Sequence, residues 1–184
     1  MRENVTTYIH NNFGSKAGLI QSVKHSLLYH CGRYSQYGKI DWSRVERVCF
    51  ACMGNICRSP VAEAVFKNES IECCSFGIEC TEGVPANERA QRFSKEFNLN
   101  LDSHRATPIS KMTFDKKDLI VCMEPIHLIH IKKHDIANAQ IALLGLWLEP
   151  AIAYIHDPYS ASDVYFRKAI ERVVTATECL KQKQ

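Results

Sequence analysis

From residue 45 onward, short apolar runs alternate with longer segments in which apolar residues recur every three or four positions. The apolar runs predict four β-strands, at 48–51, 71–76, 118–123 and 141–144. The periodic segments predict helices that begin at Ser59-Pro60 and that span 86–97, 125–134 and 163–180. Strands that alternate with helices are typical of parallel sheets covered on both faces. We therefore predict an α/β fold, a three-layer sandwich around a four-stranded parallel sheet.

The first 44 residues differ from the rest in both pattern and charge. They carry six Lys or Arg residues against two acidic ones, a net charge of +4, whereas residues 45–184 are nearly neutral. Ile20, Val23, Leu27 and Leu28 recur at helical spacing and predict one short amphipathic helix. We interpret residues 1–44 as an N-terminal extension docked through this helix and dispensable for chemistry, and 45–184 as the main domain. Contact with a membrane surface and a disordered or partner-binding arm are the alternatives.

Length and composition exclude several classes of protein. The chain has 184 residues, of which 46% are hydrophobic and 23% charged, as in ordinary globular domains. The neutral main domain argues against nucleic-acid binding, and no apolar run approaches the roughly 20 residues of a transmembrane helix. The N-terminus lacks a signal-peptide pattern, so we expect the nine cysteines to be reduced thiols of a cytoplasmic protein.

The segment CMGNICRS at 52–59 connects the first predicted strand to its helix. Ligands of open α/β sheets bind at this edge, beyond the carboxyl ends of the strands. The backbone N–H groups of such a loop can surround an anion, in line with the positive end of the helix dipole. Gly54 and Asn55 are residue types that tolerate the left-handed backbone required by the curl. The loop is therefore predicted to bind a tetrahedral oxyanion such as a phosphoryl group.

Three side chains of this segment suit nucleophilic chemistry on a phosphate ester. A cysteine near a helix N-terminus and an arginine is stabilised as the thiolate, so Cys52 is the candidate nucleophile. Arg58 can bind two phosphoryl oxygens with its planar guanidinium group, and Ser59 can donate a hydrogen bond to the sulfur. Because the loop and Arg58 supply the positive charge, we expect neither a metal nor a cofactor.

The segment VCFACMGNICRSPVAEAVF resembles the signature of the low-molecular-weight protein tyrosine phosphatases. The similarity continues in the family's order through 75–77, 84–90, 101–106, 118–124 and 155–159. It implies that Cys52 forms a phosphocysteine, that Arg58 binds phosphate, and that Asp157 of the Asp-Pro-Tyr sequence is the general acid. The acid role has an independent reason, because tyrosine has a pKa near 10 and its phenolate leaves slowly without a proton.

The resemblance also assigns roles around these three residues. It places His104 in a hydrogen-bond network with Asn55 and Ser59, and Tyr159 against the phenyl ring of the substrate. It further implies that Cys57 can protect an oxidised Cys52 through a reversible disulfide. The remaining substrate-binding residues implied by the family are those of the loop: Met53, Gly54, Asn55, Ile56, Cys57 and Ser59.

The stretch LLGLWLEP at 143–150 is similar to the bacterial members associated with exopolysaccharide export kinases, as is the pair Met123-Glu124. The resemblance therefore implies a phosphotyrosine protein as substrate, such as a bacterial tyrosine autokinase, and a monomer or weak dimer. Other family members carry additional aromatic residues where this chain has Ser160 and residues 79–82. We therefore expect this protein to contact the phenyl ring of its substrate less extensively.

Three alternatives share the same residues. Phosphoarginine phosphatases of this fold tend to carry Thr at the position of Ile56. Arsenate reductases need two further cysteines that carry the disulfide outward from the nucleophile. Cys122 is suitably placed for one of them, and no cysteine is suitably placed for the second. A non-catalytic phosphotyrosine-binding module would lack the nucleophile or the acid, and both are present. Outside the loop, we expect His127, His130 and His134 to form a solvated helix face rather than a metal site.

Overall fold

The computed structural model describes residues 4–67 and 70–184. Its four strands form one parallel sheet in the order β2-β1-β3-β4, which confirms the predicted α/β sandwich. The strands are β1 (Arg47–Cys52), β2 (Glu72–Gly77), β3 (Asp118–Cys122) and β4 (Gln140–Leu143). The two central strands, β1 and β3, are almost entirely buried, as expected when helices cover both faces of a parallel sheet. The loop after β1 therefore leaves the middle of the sheet.

Within the described residues six α-helices accompany the sheet: α1 (Val5–Phe13), α2 (Lys16–His30), α3 (Arg58–Phe66), α4 (Glu88–Ser94), α5 (Pro125–Ile131) and α6 (Asp163–Lys181). The predicted helix over 86–97 is divided into α4 and a 3-10 turn. The segment predicted as helix over 125–134 leaves the α-helical conformation after Ile131. Short 3-10 helices occupy Ser35–Gly38, Trp42–Arg44, Lys95–Phe97, Ile109–Lys111 and Leu144–Trp147.

Alternate residues of β1 pack against different helical layers. Val48 and Phe50 belong to a core shared with α3, α4 and α6, whereas Cys49 and Ala51 face a second core shared with α5. Tyr34 of the N-terminal extension is buried in this second core. The boundary that we place at residue 45 stays a prediction, and residues on both sides of it pack on the sheet.

The N-terminal extension differs from the prediction in two ways. It forms two α-helices instead of one, and Ile20, Val23 and Leu27 are exposed rather than docked. The buried residue of α2 is Gly18, which lies against the ring of His156. The expectation was wrong for these three residues because the inward side of α2 carries Gly18, His25, Leu28 and Tyr29 instead.

One further side-chain expectation, a solvated face formed by His127, His130 and His134, was wrong. His127 is fully buried, while only His134 of the three histidines is exposed. Helix α5 turns His127, Leu128 and Ile131 inward, so the polar ring shares the buried face of a helix that covers β3. Within 4–67 and 70–184, no helix combines the length and apolar character needed to cross a membrane.

Candidate active site

The loop between Cys52 at the end of β1 and Arg58 at the start of α3 curls as the sequence predicts. Asn55 has the left-handed backbone conformation, with φ of 50°. Gly54, for which the same conformation is expected, does not have a positive φ. The reversal of the chain thus occurs at Asn55, a residue type that tolerates this region better than most.

Helix α3 begins at Arg58, two residues before the predicted first helical residue Pro60, and Ser59 is not its N-cap. The N-cap is Cys57, which makes no side-chain hydrogen bond to the helix. The hydroxyl of Ser59 instead lies 3.0 Å from the Cys52 sulfur. Because no side chain caps the helix at its N-cap, backbone N–H groups of the first turn remain available to an anion.

Asn55 orients the hydroxyl of Ser59 toward the sulfur. Its side-chain amide donates to the oxygen of Ser59 at 2.9 Å and to that of Ser75 at 2.8 Å. Since Ser59 accepts this bond, its own proton is free to point at Cys52. The hydroxyl is thus placed to donate a hydrogen bond to the Cys52 sulfur.

The remaining polar groups of Asn55 are also bound, and they fix the loop from outside. The side-chain oxygen accepts a hydrogen bond from the backbone N–H of Thr107 at 2.8 Å. The backbone carbonyl accepts one from Nε2 of His104 at 2.7 Å. His104 thus contacts the loop backbone rather than the cavity, and its supporting role stays a prediction.

Arg58 is buried and bound by two carboxylates. Its Nη1 contacts the carboxylate of Glu124 and donates to the backbone carbonyl of Ile155 at 2.9 Å, while Nη2 lies 2.8 Å from Oδ2 of Asp157. Burial acts to lower the pKa of Arg58, but the two carboxylates raise it above its ordinary value. Among the described residues, its buried Nε has no hydrogen-bond partner. Both terminal nitrogens of the guanidinium are thus bound by the protein, and Nε is left as a donor for a ligand.

Glu124 is the functional residue that the sequence analysis did not assign to the site. It lies two residues after the end of β3, at the edge of the sheet where the loop after β1 also lies. The sequence signal for such a residue is an acidic side chain just past a strand that is predicted to be buried. Its partner could not be identified from sequence, because 66 positions separate it from Arg58.

The loop that carries Asp157 is held by its own turn and by α4. Oδ1 of Asp157 accepts a hydrogen bond from the backbone N–H of Tyr159 at 3.0 Å. The guanidinium of Arg89 donates to the backbone carbonyl of Ala161 at 2.8 Å and to that of Tyr159. These bonds leave the other carboxylate oxygen of Asp157 facing Arg58.

The candidate nucleophile, the arginine and the acid share one cavity of about 230 Å³. Its wall consists of Cys52, Met53, Gly54, Ile56, Cys57, Arg58, Asp157 and Tyr159. The other predicted site residues, Asn55, Ser59 and His104, lie outside this wall and bind the loop. Cys57 is buried, and burial together with the nearby Cys52 raises its pKa. Its protective disulfide stays a prediction. The part of the chain that the structure describes contains no cluster of His, Cys, Asp or Glu able to hold a metal ion.

His127 introduces a pH-dependent contribution to stability beside this site. Its Nε2 lies 3.9 Å from Oε1 of Glu124, and neither ring nitrogen has a hydrogen-bond partner among the described residues. Its pKa lies well below 6.5, because burial and then the charge of Arg58 disfavour the imidazolium. Below pH 6.5 the unfolded chain therefore takes up a proton that the folded chain does not. The free energy of unfolding consequently decreases as the pH is lowered.

We expect His127→Gln to reduce this loss of stability. Between pH 7.5 and 5.5 the free energy of unfolding should fall by roughly 1 kcal/mol less in the variant than in the wild type. Urea unfolding at the two pH values measures this difference. His134→Gln, at the exposed position, is the matched control. The interpretation is wrong if both variants keep the wild-type dependence on pH.

Comparison with known proteins identifies the family of this chain. The family model described as low molecular weight phosphotyrosine protein phosphatase matches residues 47–183. The protein of that name from Gallus gallus is 32% identical over 152 residues, covering 76% of this chain and 96% of its own length. The low molecular weight protein-tyrosine-phosphatase Wzb of Salmonella typhi is 33% identical over 137 residues, covering 72% of this chain and 87% of its own length. The crystal structure of the tyrosine phosphatase Wzb from Escherichia coli K30 with sulphate superposes with a TM-score of 0.64 at 30% identity. The match covers 76% of this chain and 98% of the Wzb chain.

Proposed function

Because this chain belongs to the low molecular weight phosphotyrosine protein phosphatase family, we propose that it hydrolyses phosphotyrosine in a protein through a phosphocysteine intermediate. The observation that carries the proposal is the cavity wall, where a thiol, a buried arginine and an aspartate meet at an uncapped helix N-terminus. Each group has the chemistry required by one step of phosphoryl transfer.

Binding of the phosphoryl group uses donors of the loop. Its oxygens accept hydrogen bonds from backbone N–H groups of 53–59 and from Arg58, whose Nε has no protein partner among the described residues. Glu124 and the carbonyl of Ile155 fix the guanidinium before substrate arrives. A donor set that is oriented in advance loses little free energy to reorganisation in the transition state.

The first chemical step transfers the phosphoryl group to Cys52. The thiolate attacks phosphorus, the P–S bond forms, and the bond from phosphorus to the phenolic oxygen breaks. Asp157 gives its proton to that oxygen, so tyrosine leaves as the neutral phenol. In the second step Asp157 takes a proton from water as the water attacks phosphorus. The P–S bond then breaks, and the thiolate that leaves is stabilised by the hydroxyl of Ser59.

The mouth of the cavity suits a flat aromatic group. Ile56 and Tyr159 both line it, and the Tyr159 side chain is 57% exposed. An aryl phosphate reaches Cys52 with its ring between these two side chains. The bulk of Ile56 favours this ring over phosphoarginine.

We further propose that the substrate is a tyrosine-phosphorylated protein of polysaccharide export, such as a bacterial tyrosine autokinase. The similarity to the two Wzb proteins supports this proposal, together with the stretch at 143–150. The enzyme acts in the cytoplasm in this proposal, as a monomer or weak dimer. The test compares initial rates on peptides that carry phosphotyrosine, phosphoserine or phosphoarginine, and on arsenate with a thiol reductant. A higher kcat/KM for phosphoarginine, or turnover of arsenate, would replace the proposed function.

Substitution of Asp157 separates acid catalysis from general damage. We expect Asp157→Asn to lower kcat/KM for phenyl phosphate by about 10²–10³-fold. The loss should be much smaller for 4-nitrophenyl phosphate, whose leaving group needs less protonation. Asp135→Asn is the matched control, because Asp135 makes the same turn, to the N–H of Ala137 at 3.0 Å, in a loop that does not line the cavity. Equal losses on the two substrates would remove the acid role.

A further inference from the structure

The N-terminal extension contacts the chain at the residue that precedes Asp157. The ring of His156 lies against Gly14 and Gly18, in the turn between α1 and α2 and in the first turns of α2. A Cβ atom at Gly14 would lie 2.7 Å from Cδ2 of His156, and one at Gly18 would lie 2.9 Å from the same atom. Two glycines thus provide the space that this ring occupies.

A column of rings joins α2 to His156 by a second route. The imidazole of His25 stacks on Tyr154, with centroids 5.3 Å apart and an interplanar angle of 28°. The hydroxyl of Tyr154 lies 2.5 Å from Nδ1 of His156. Burial lowers the pKa of His156, so the neutral ring can accept this proton. His25 is itself fixed by Tyr34, whose hydroxyl lies 2.7 Å from its Nδ1.

Helix α1 contacts the chain on the other side of Asp157. Ser162, the N-cap of α6, donates through its hydroxyl to Oδ1 of Asn11 at 3.3 Å. Lys168 in α6 donates to Oδ1 of Asn12 at 2.8 Å. The extension therefore contacts residues both before and after the acid.

The segment between these contacts is irregular. Residues 148–162 contain neither helix nor strand, so Asp157 is positioned by its ion pair with Arg58, by its own turn and by the bonds of Arg89 rather than by a strand. Proton transfer needs the carboxyl within hydrogen-bond reach of the leaving oxygen, and a displacement of about 1 Å can cost roughly 10²-fold in rate. Contacts that immobilise this segment thus bear directly on the chemistry.

We propose that the N-terminal extension is a positioning element for the general acid, in which His25 acts on Asp157 through Tyr154 and His156. The proposal rests on the proposed role of Asp157. It reverses the expectation that residues 1–44 are dispensable for chemistry. That expectation rested only on the positions of the reacting groups, all of which lie outside the extension.

The test uses the full chain and the sensitivity of kcat/KM to the leaving group. We expect His25→Ala to raise the ratio of kcat/KM for 4-nitrophenyl phosphate over phenyl phosphate by at least about 3-fold, since a displaced acid penalises the poorer leaving group. Tyr154→Phe keeps the ring and removes only the hydroxyl, and it should raise the ratio in the same direction. His30→Ala is the matched control, because His30 lies on α2 but is exposed and bonds only its own helix at Ser26. It should leave the ratio unchanged.

A double variant distinguishes positioning from loss of folded protein. His25→Ala combined with Asp157→Asn should have the ratio of Asp157→Asn alone, because the extension acts through that carboxyl. Unchanged ratios in both His25→Ala and Tyr154→Phe, with a raised ratio in Asp157→Asn, would overturn the positioning role and leave the proposed function standing. An unchanged ratio in Asp157→Asn would instead overturn the acid role, and the positioning role with it.

Discussion

Cys52→Ser is expected to lower kcat/KM for aryl phosphates by at least about 10⁴-fold, because a serine hydroxyl is not ionised near neutral pH and is a far weaker nucleophile. The side chain is 1% exposed and differs from serine by one atom, so the fold should be retained. Initial rates on 4-nitrophenyl phosphate measure the loss, and circular dichroism checks the fold.

Cys49→Ser is the matched control for this substitution. Cys49 lies in the same strand and is equally buried, but it belongs to the core on the other face of the sheet. The control should lose stability and keep its rate per folded molecule. Rapid quenching of the wild type with substrate should trap one phosphoryl group on Cys52. Turnover by Cys52→Ser within a factor of about ten of the wild type would exclude Cys52 as the phosphoryl acceptor.

Arg58→Lys is expected to lower kcat/KM by about 10²–10³-fold, although the charge is conserved. An ammonium group cannot contact Glu124, the carbonyl of Ile155 and a phosphoryl group with the same fixed geometry. We expect KM to rise and kcat to fall, since the guanidinium binds the phosphoryl group in both ground and transition states. Steady-state kinetics on phosphotyrosine, with inorganic phosphate as a competitive inhibitor, separates the two effects.

Arg47→Lys provides the control for the loss of a bidentate arginine. Arg47 contacts both carboxylate oxygens of Asp118 at 2.7 Å, at the opposite end of β1 from Cys52. This variant should unfold at lower urea concentration and keep its KM. The interpretation of Arg58 is wrong if Arg58→Lys retains near-normal kinetics, which would mean that the loop binds phosphate without it.

The loop at 52–59 could be predicted because its chemistry is local. Cys52, Asn55, Arg58 and Ser59 are close in sequence, and the strand before them and the helix after them follow from simple periodicity. The assignment of Asp157 depended on resemblance, because nothing local distinguishes it from another turn aspartate such as Asp135. The structure brings it to the cavity, and its role stays a proposal.

The features that sequence could not provide depend on distant partners. Glu124 is an ordinary acidic residue until folding brings it to Arg58. His127 shares helical spacing with an exposed histidine, and only the packing of α5 decides which of them is buried. Part of the extension packs through Gly14 and Gly18 against the ring of His156, and glycines give no apolar signal for a sequence pattern to detect.

The partners of Arg58 also determine when activity appears as the chain folds. Its carboxylate partners lie 66 and 99 positions further along the chain, in the units after β3 and β4. Closing such long loops is slower than forming the local turns of α3 or α6. On refolding from urea, helical signal can therefore return before the guanidinium has acquired its partners. Phosphatase activity thus reports the completion of long-range packing, and no fragment that ends before residue 157 assembles the site.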